Sequence, residues 1–141
     1  MPELRHTADQ LATVPADDNQ IGSSGLPGVH TRVVLGDPSQ PGLYAILLFV
    51  PPNTSIAAHS HRDDRIATVL SGTWRFGYGD VFDPAVLAVL PPGSVYSEPG
   101  TTARNHFAQT RAESVVVLIT GYGPTDTVYV DPADDPSRAS R

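Results

Sequence analysis

The sequence predicts an all-β domain, folded as a sandwich or barrel of about ten short strands. Short apolar or alternating runs recur from Val29 onward, and each run is closed by Gly, Pro, Asn or Asp. The chain contains 14 prolines and 12 glycines, which suits many tight corners. No segment keeps a helical period over several turns. Dense turn signals between short strands are typical of sandwiches and barrels.

The predicted strands follow from the apolar runs and their closing turns. In order they are His30 to Leu35, Leu43 to Val50, Ile56 to His61, Ile66 to Leu70, Thr73 to Tyr78, Ala85 to Leu90, Val95 to Ser97, His106 to Gln109, Val115 to Thr120 and Val128 to Val130. Residues 1–25 are predicted to form an irregular arm, lying on the barrel or on a partner subunit, with a short helix from Thr7 that Pro15 ends. Residues 26–136 form the single domain, and residues 137–141 form a frayed tail.

The amino-acid composition excludes several catalytic and metal-binding mechanisms. The chain has no cysteine, which excludes disulfides, thiol nucleophiles and thiolate metal sites. All nine basic residues are arginine, so no lysine can form a Schiff base. Catalytic carboxylates must come from aspartates or from the three glutamates, which are Glu3, Glu98 and Glu113.

The charge pattern and the hydropathy narrow the partners. The formal net charge is −6 and there is no basic stripe, so we expect no nucleic-acid partner. The longest apolar stretch, Leu43 to Val50, is far too short to span a bilayer. The N-terminal residues lack the apolar core of a secretory signal. These features favour a cytoplasmic protein with no membrane partner.

A pair of histidines, His59 and His61, carries the main chemical signal. Positions i and i+2 of a strand point to the same face, so both imidazoles can bind one ion from one side. His106, on a distant strand, is the candidate third ligand. Neutral imidazoles suit divalent transition metals such as Fe, Mn, Ni or Zn, and three protein ligands leave open positions for water or substrate. The alternative is that the pair only decorates an exposed strand.

Two motifs resemble those of the cupin superfamily. Pro52-Asn-Thr-Ser-Ile-Ala-Ala-His59-Ser-His61, followed by position 65 and Gly72, is similar to the first cupin motif, in which an HxH pair precedes a Glu and then a Gly. Pro91-Pro-Gly and Pro99-Gly100, followed by His106-Phe107, resemble the second motif, with a slightly longer spacing to the histidine. The stretch 28–136 as a whole resembles small bacterial single-domain cupins. The resemblance implies a cupin-type double-stranded β-helix, or jelly-roll barrel, and a homodimer.

Arg65 occupies the position where the cupin motif has its Glu ligand. A guanidinium has no lone pair to donate, so it cannot replace a carboxylate as a ligand. Two unit charges a few ångströms apart interact by about 4 kcal/mol at an effective dielectric near 20, so Arg65 beside a dication needs a negative partner. Three arrangements are open. Arg65 turns away or is neutralised by Asp63 or Asp64; Glu98 supplies the missing carboxylate; or no metal binds and Arg65 binds an anion directly.

The resemblance implies more than one function. The first is a metal-dependent enzyme acting on a small keto, enol or carboxylate substrate, a dioxygenase if the metal is iron, with Arg65 as anion anchor and Tyr96 or Glu98 as proton shuttle. The second is a redox-neutral cyclase, isomerase or lyase working in the barrel pocket. The third is a non-catalytic module that binds or senses a small molecule. Each of these three functions requires a small-molecule ligand, and we expect the pocket to be electropositive and to favour an anionic one.

Overall fold

The fold was obtained as a computed structural model, which describes residues 1–12, 21–101 and 104–138 of the chain. The described residues form ten strands and one short α-helix, α1, at Ala8–Ala12. The strands are β1 His30–Leu35, β2 Gly42–Val50, β3 Ser55–Ser60, β4 Arg65–Ser71, β5 Trp74–Tyr78, β6 Ala88–Leu90, β7 Val95–Glu98, β8 His106–Gln109, β9 Val115–Gly123 and β10 Val128–Tyr129. Short 3-10 turns lie at Pro84–Val86, Pro132–Asp134 and Pro136–Arg138. The all-β prediction is confirmed.

The strands form two antiparallel sheets of five strands each. Sheet I has the order β1-β2-β9-β4-β7, and sheet II has the order β10-β3-β8-β5-β6. Neighbours in each sheet are mostly distant in sequence, so β2 pairs along its whole length with β9, and β3 pairs with β8. Because most consecutive strands alternate between the two sheets, the predicted site residues of β3, β4, β7 and β8 come to one region of the barrel.

The core lies between the two sheets. On β9, alternate residues from Val115 to Gly123 are buried, as expected for a strand with one face inward, whereas on β2 every residue from Tyr44 to Leu48 is buried. Sheet II contributes Trp74 and Phe76 from β5 to the same apolar cluster. Fully burying one such side chain stabilises the fold by roughly 1.5–3 kcal/mol relative to leaving it exposed.

One predicted strand is shorter than its apolar run. Ala85 and Val86 were expected to begin a strand, but they lie in a 3-10 turn. The cause is local, because the Asp83 side chain accepts a hydrogen bond from the Ala85 amide at 2.9 Å and Pro84 starts the turn. The strand β6 therefore begins only at Ala88.

Two described parts of the N-terminal arm contact the barrel. Thr7 and Gln10 exchange hydrogen bonds that cap α1, and α1 borders a cavity shared with Leu70 and Val116 on the outer face of sheet I. Residues 21–25, which we call the strap, cross the end of the barrel near β10. The predicted helix end at Pro15 and residues 139–141 of the predicted tail lie outside the described residues. No helix in the described ranges is long and apolar enough to cross a membrane.

Candidate metal centre

Three imidazoles meet in the interior of the barrel. His59 lies near the end of β3 and His61 follows that strand, while His106 opens β8 directly opposite His59. Residues directly opposite each other on antiparallel strands share a face, as do residues at i and i+2. All three side chains are therefore turned to the same side, and their exposed fractions are only 6%, 2% and 1%.

The three rings are close enough to share one ion. The ring centroid of His59 lies 5.0 Å from that of His61 and 4.3 Å from that of His106, and the His61 and His106 centroids are 5.1 Å apart. One nitrogen from each ring can be chosen so that all lie within 4.8 Å of one another. The candidate His triad of the sequence is thus brought together.

Main-chain carbonyls fix the tautomer of two of these histidines. The Nδ1 of His59 donates to the carbonyl oxygen of Ala57 at 2.7 Å, and the Nδ1 of His61 donates to that of Asp126 at 2.6 Å. A carbonyl oxygen can only accept, so Nδ1 carries the proton and Nε2 keeps its lone pair. Orientation of an imidazole through its other nitrogen is the usual outer-shell arrangement of metal-binding histidines.

The electrostatics of the cluster also suit a metal ion. Burial lowers the pKa of His59 to about 3, and it likewise lowers the pKa of His61 and of His106, so the imidazoles stay neutral. Within the described part of the chain, the Nε2 of His61 and both ring nitrogens of His106 are buried without a hydrogen-bond partner. A buried polar atom without a partner is costly, and a metal ion would satisfy the Nε2 lone pair of His61 and the one lone pair of the neutral His106 ring. The residues present therefore fit a metal ion.

Arg65 and Glu98 form a buried ion pair beside the histidines. They lie directly opposite each other on β4 and β7, and the Nε of Arg65 donates to the Oε2 of Glu98 at 2.6 Å. Burial alone would raise the pKa of Glu98, but the Arg65 guanidinium and the neighbouring histidines hold it below its ordinary value. Burial alone would lower the pKa of Arg65, and Glu98 more than offsets that effect. Both groups are therefore charged.

The partner of Arg65 differs from the two aspartates considered from the sequence. Asp63 accepts a hydrogen bond from the Tyr44 hydroxyl at 2.7 Å, and Asp64 accepts one from the Gly100 amide at 2.7 Å. Glu98 takes the role instead, because the strand register places it across from Arg65. The second guanidinium contact is the Gly22 carbonyl oxygen, 2.8 Å from Nη1.

Glu98 also approaches the histidines. Its Oε2 lies 3.5 Å from the Nε2 of His61, and its Oε1 lies 3.8 Å from the Nε2 of His106. The carboxylate thus sits between the guanidinium and the imidazole cluster. All six site residues predicted from the sequence are buried in the barrel, counting Tyr96 with the three histidines, Arg65 and Glu98.

Tyr96 is linked to the histidines through an aromatic stack. Its hydroxyl accepts a hydrogen bond from the Trp74 Nε1 at 3.1 Å, and its ring lies 4.2 Å from that of Phe76. Phe76 in turn stacks on His106, with centroids 5.4 Å apart. Burial raises the pKa of Tyr96 well above its ordinary value, so the phenol stays protonated.

A groove opens on the other side of this stack. It has a volume of about 500 Å³, and its lining includes Phe76, Tyr78 and Tyr96 together with Ile66 and Val95. None of the residues that line it carries a charge. The groove reaches the aromatic side chains that separate the outside from His106.

The strap and β10 supply contacts that sequence reasoning missed. The Thr127 hydroxyl donates to the Ser23 carbonyl oxygen, and the Tyr129 hydroxyl donates to that of Ser24. The Tyr129 ring also lies 5.5 Å from that of His59. Main-chain acceptors leave no pattern of side-chain types, so the sequence offered no signal for these contacts.

Comparison with known proteins identifies the fold. No protein-family model and no curated protein matches the sequence. Among solved structures, the chain is similar to the polyketide cyclase RemF from Streptomyces resistomycificus, with a TM-score of 0.65 and 18% identity over 99% of this chain and 93% of that one. It is similar to the DMSP lyase DddQ from Ruegeria pomeroyi DSS-3, with a TM-score of 0.65 and 19% identity over 92% and 72% of the two chains. A cupin-2 domain protein from Rhodospirillum rubrum matches with a TM-score of 0.59 and 15% identity over 80% and 72%.

The comparison shows the fold of the chain. Its barrel is similar to that of the cupin-2 domain protein, which agrees with the fold that its two motifs predict. The chain spans 56% of the length of another matching chain, from crystal structures of DMSP lyases. A likeness at these identities establishes the fold, so activity has to be argued from the site.

Proposed function

We propose that this chain is a metal-dependent cupin enzyme that catalyses a redox-neutral reaction, as a lyase, cyclase or isomerase, on a small oxygenated organic anion. One observation carries the proposal: three buried imidazoles lie close enough to share an ion, and within the described ranges the unprotonated Nε2 of His61 and the ring nitrogens of His106 have no hydrogen-bond partner. His59, His61 and His106 would hold one divalent transition metal, such as Fe, Mn, Ni or Zn. When bound, the metal supplies Lewis-acid stabilisation to a carboxylate or enolate oxygen.

The charge balance of the site supports an anionic substrate. The three imidazoles are neutral, and the charges of Arg65 and Glu98 cancel. The protein therefore leaves the positive charge of a bound dication uncompensated. Opposite unit charges at about 4 Å attract by about 4 kcal/mol at an effective dielectric near 20, which favours a carboxylate, enolate or phenolate over its neutral analogue.

Two buried side chains offer opposite hydrogen-bonding groups. Tyr96 stays protonated, and its oxygen accepts from Trp74, so its hydroxyl can donate a hydrogen bond. Glu98 stays ionised and is an acceptor only, toward a hydrogen bond or toward a metal ion. Both pKa shifts lead away from neutral pH, so we assign the two groups to binding and orientation rather than to proton transfer. Arg65 has its Nε and Nη1 occupied, so we assign it to holding Glu98 rather than to binding the substrate.

The uncharged groove beside Phe76 and Tyr96 is the proposed route for the apolar part of the substrate. Its volume of about 500 Å³ lies in the range of small-molecule sites. The buried rings of Phe76 and Tyr96 separate this groove from His106, which would keep bulk water away from a reactive enolate.

Two reaction classes are considered for this site, redox-neutral chemistry and oxygenase chemistry. The similar structures include a polyketide cyclase and DMSP lyases, and both kinds of reaction are redox-neutral. These likenesses support the lyase or cyclase alternative over a dioxygenase. Oxygen uptake coupled to turnover, and not the identity of the metal alone, would be the signature of the oxygenase.

The decisive experiment measures metal content and the need for oxygen together. The protein is purified without a histidine tag, its metals are quantified, and β-substituted carboxylates and poly-β-ketones are offered under air and under argon. We expect about one transition metal per chain and equal turnover in both atmospheres. Oxygen consumption that matches product formation would overturn the redox-neutral assignment, and a chain that binds no metal and turns over none of these substrates would favour the non-catalytic binder.

The controls isolate the metal centre and the charge preference. The double variant H59A/H61A should lose both metal and turnover, whereas H30A, which removes an exposed histidine outside the cluster, should retain both. Matched acid and amide ligands test the preference for an anion. Equal affinity for the two would rule that preference out.

A further inference from the structure

The carboxylate of the candidate metal centre lies on a different strand from the one the cupin motif implies. We infer that Glu98, on β7, is the fourth protein ligand of the metal ion, and that Arg65, on β4, is the positioning residue that holds its carboxylate. The inference rests on the proposed metal centre. It explains why a guanidinium can stand at the position of the expected Glu ligand.

The strand register explains why the carboxylate ligand can be carried by β7 instead of β4. Positions 65 and 98 are directly opposite in the antiparallel pair β4–β7, so their side chains leave the sheet on the same side. A carboxylate at either position can therefore reach the same part of the barrel interior. In this chain the β4 position holds the cation and the β7 position holds the anion.

The contact between Glu98 and His61 needs a cation between them. The Nδ1 proton of His61 is donated to the Asp126 carbonyl, so its Nε2 presents a lone pair. That lone pair faces the Oε2 of Glu98 at 3.5 Å, and this oxygen is itself an acceptor, since it receives the Arg65 hydrogen bond. Two acceptors facing each other in a buried site repel, and a metal ion bound to the imidazole and to the carboxylate group would offset this repulsion.

The distances agree with a shared ion. Transition metals bind nitrogen and oxygen ligands at about 2.0–2.2 Å, so two ligand atoms of one ion lie no more than roughly 4.4 Å apart. The Oε1 of Glu98 lies 3.8 Å from the Nε2 of His106, within that limit. Because Oε2 already accepts the Arg65 hydrogen bond, Oε1 is the oxygen assigned to the metal.

Arg65 is suited to positioning because it is fixed at both ends. Its Nε holds Glu98, and its Nη1 donates to the Gly22 carbonyl oxygen at 2.8 Å. The side chain is 2% exposed, so water does not compete for these contacts. A carboxylate held in place by a hydrogen-bonded neighbour is the usual arrangement around metal ligands.

The test uses Co(II) and Zn(II) as probes, with no substrate. Affinity is measured by competition with a chelator, and the visible absorption of the Co(II) protein reports its set of ligands. We expect E98Q to lower Co(II) affinity by at least about tenfold and to change the Co(II) spectrum. The control E113Q changes an exposed glutamate outside the histidine cluster and should alter neither the affinity nor the spectrum.

Two further variants keep the test informative if E98Q folds poorly. R65M/E98L replaces the buried pair by apolar side chains, a change that is often neutral for stability, and should lose Co(II) affinity as E98Q does. R65E/E98R exchanges the charges between the strands and should recover affinity, since the carboxylate then reaches the ion from β4. R65M alone should weaken binding without removing the carboxylate signature from the spectrum.

The outcomes separate this inference from the proposed function. If the wild-type chain binds Co(II) while E98Q and R65M/E98L match it in affinity and spectrum, Glu98 is only a structural partner of Arg65 and the inference is overturned. The metal-dependent enzyme would still stand in that case. If the wild-type chain binds neither ion, both proposals are overturned together.

Discussion

The Nη1 of Arg65 donates a hydrogen bond to the carbonyl oxygen of Gly22, 2.8 Å away, and so ties the strap to the residue that holds Glu98. Gly22 has a φ of +77°, and a Cβ placed there would lie 2.9 Å from that same Nη1 and 2.8 Å from the Cγ2 of Thr125. Glycine is therefore required at this position both for its backbone conformation and for its lack of a side chain. The strap and the candidate metal centre are one packed unit.

The first prediction concerns Gly22 itself. G22A should lower the free energy of unfolding in urea by more than the roughly 1–2 kcal/mol that a left-handed backbone costs a residue with a Cβ. The matched control is G25A, because Gly25 has a φ of +73° but its nearest neighbour to a Cβ is 3.8 Å away. Equal losses for the two variants would show that the contact with Arg65 does not matter.

The second prediction separates the structural role of Tyr96 from its chemical one. Y96F leaves the buried Trp74 indole N–H without its acceptor, which costs about 1–3 kcal/mol of stability. W74F removes that donor, so the two substitutions together should cost less than the sum of their separate effects. Urea unfolding of the four proteins measures this coupling. Zn(II) affinity should be unchanged in Y96F, and a loss of binding there would contradict its placement behind Phe76.

The third prediction concerns metal binding and thermal stability. A ligand at 100 times its dissociation constant stabilises the folded state by about 2.7 kcal/mol, which for a chain of this size shifts the melting temperature by on the order of 10 °C. We expect Zn(II) to produce such a shift in the wild type and in H30A but not in H106A. A chelator should reverse it. An equal shift in H106A would mean that the ion binds elsewhere.

The fourth prediction concerns alkaline pH. Burial raises the pKa of Tyr44 to about 12, against about 10 for an unfolded chain, so the folded state favours the neutral phenol. Its contribution to stability is fully present below about pH 10 and is lost as the pH rises toward about 12. Urea unfolding across this range should show a decline that is shallower in Y44F. An identical decline in both proteins would remove Tyr44 as the cause.

The fifth prediction is the homodimer expected from the sequence. Leu43 and Tyr122 lie opposite each other on β2 and β9 of sheet I, away from the groove, and are 41% and 66% exposed. If a second copy covers this face, Y122R should shift the sedimentation coefficient from dimer to monomer without unfolding the chain. V81R, at a 76% exposed valine outside the strands, is the control. A wild-type chain that sediments as a monomer would remove the prediction.

The strands could be predicted because the residues at their ends determine where each strand stops. Closing residues such as Gly36 and Pro51 mark where each apolar run ends, and two strands, His30–Leu35 and His106–Gln109, agree with the predicted bounds. The error at Ala85 arose because an Asp–Pro turn can begin inside an apolar run. Hydrophobic pattern alone does not separate these cases.

The site was only partly predictable, since its two halves depend on different kinds of information. The pair His59 and His61 follows from the period of a single strand. The pairing of Arg65 with Glu98 depends on the register between strands 33 positions apart, which residue types do not encode. The sequence therefore predicts which side chains matter and leaves their partners to the fold.

The strap closes the barrel with main-chain oxygens, and this has a consequence for how the family of natural variants can diverge. Arg65, Thr127 and Tyr129 each donate to a carbonyl, and every amino acid brings a carbonyl. The side chains of Ser23 and Ser24 add a second constraint, because their hydroxyl oxygens accept hydrogen bonds from the amides of Gly25 and Leu26 and both residues are buried. Deleting a residue there would move all three carbonyl oxygens out of step, so this stretch is expected to be rigid in length and to accept only small residues that can form the same turns.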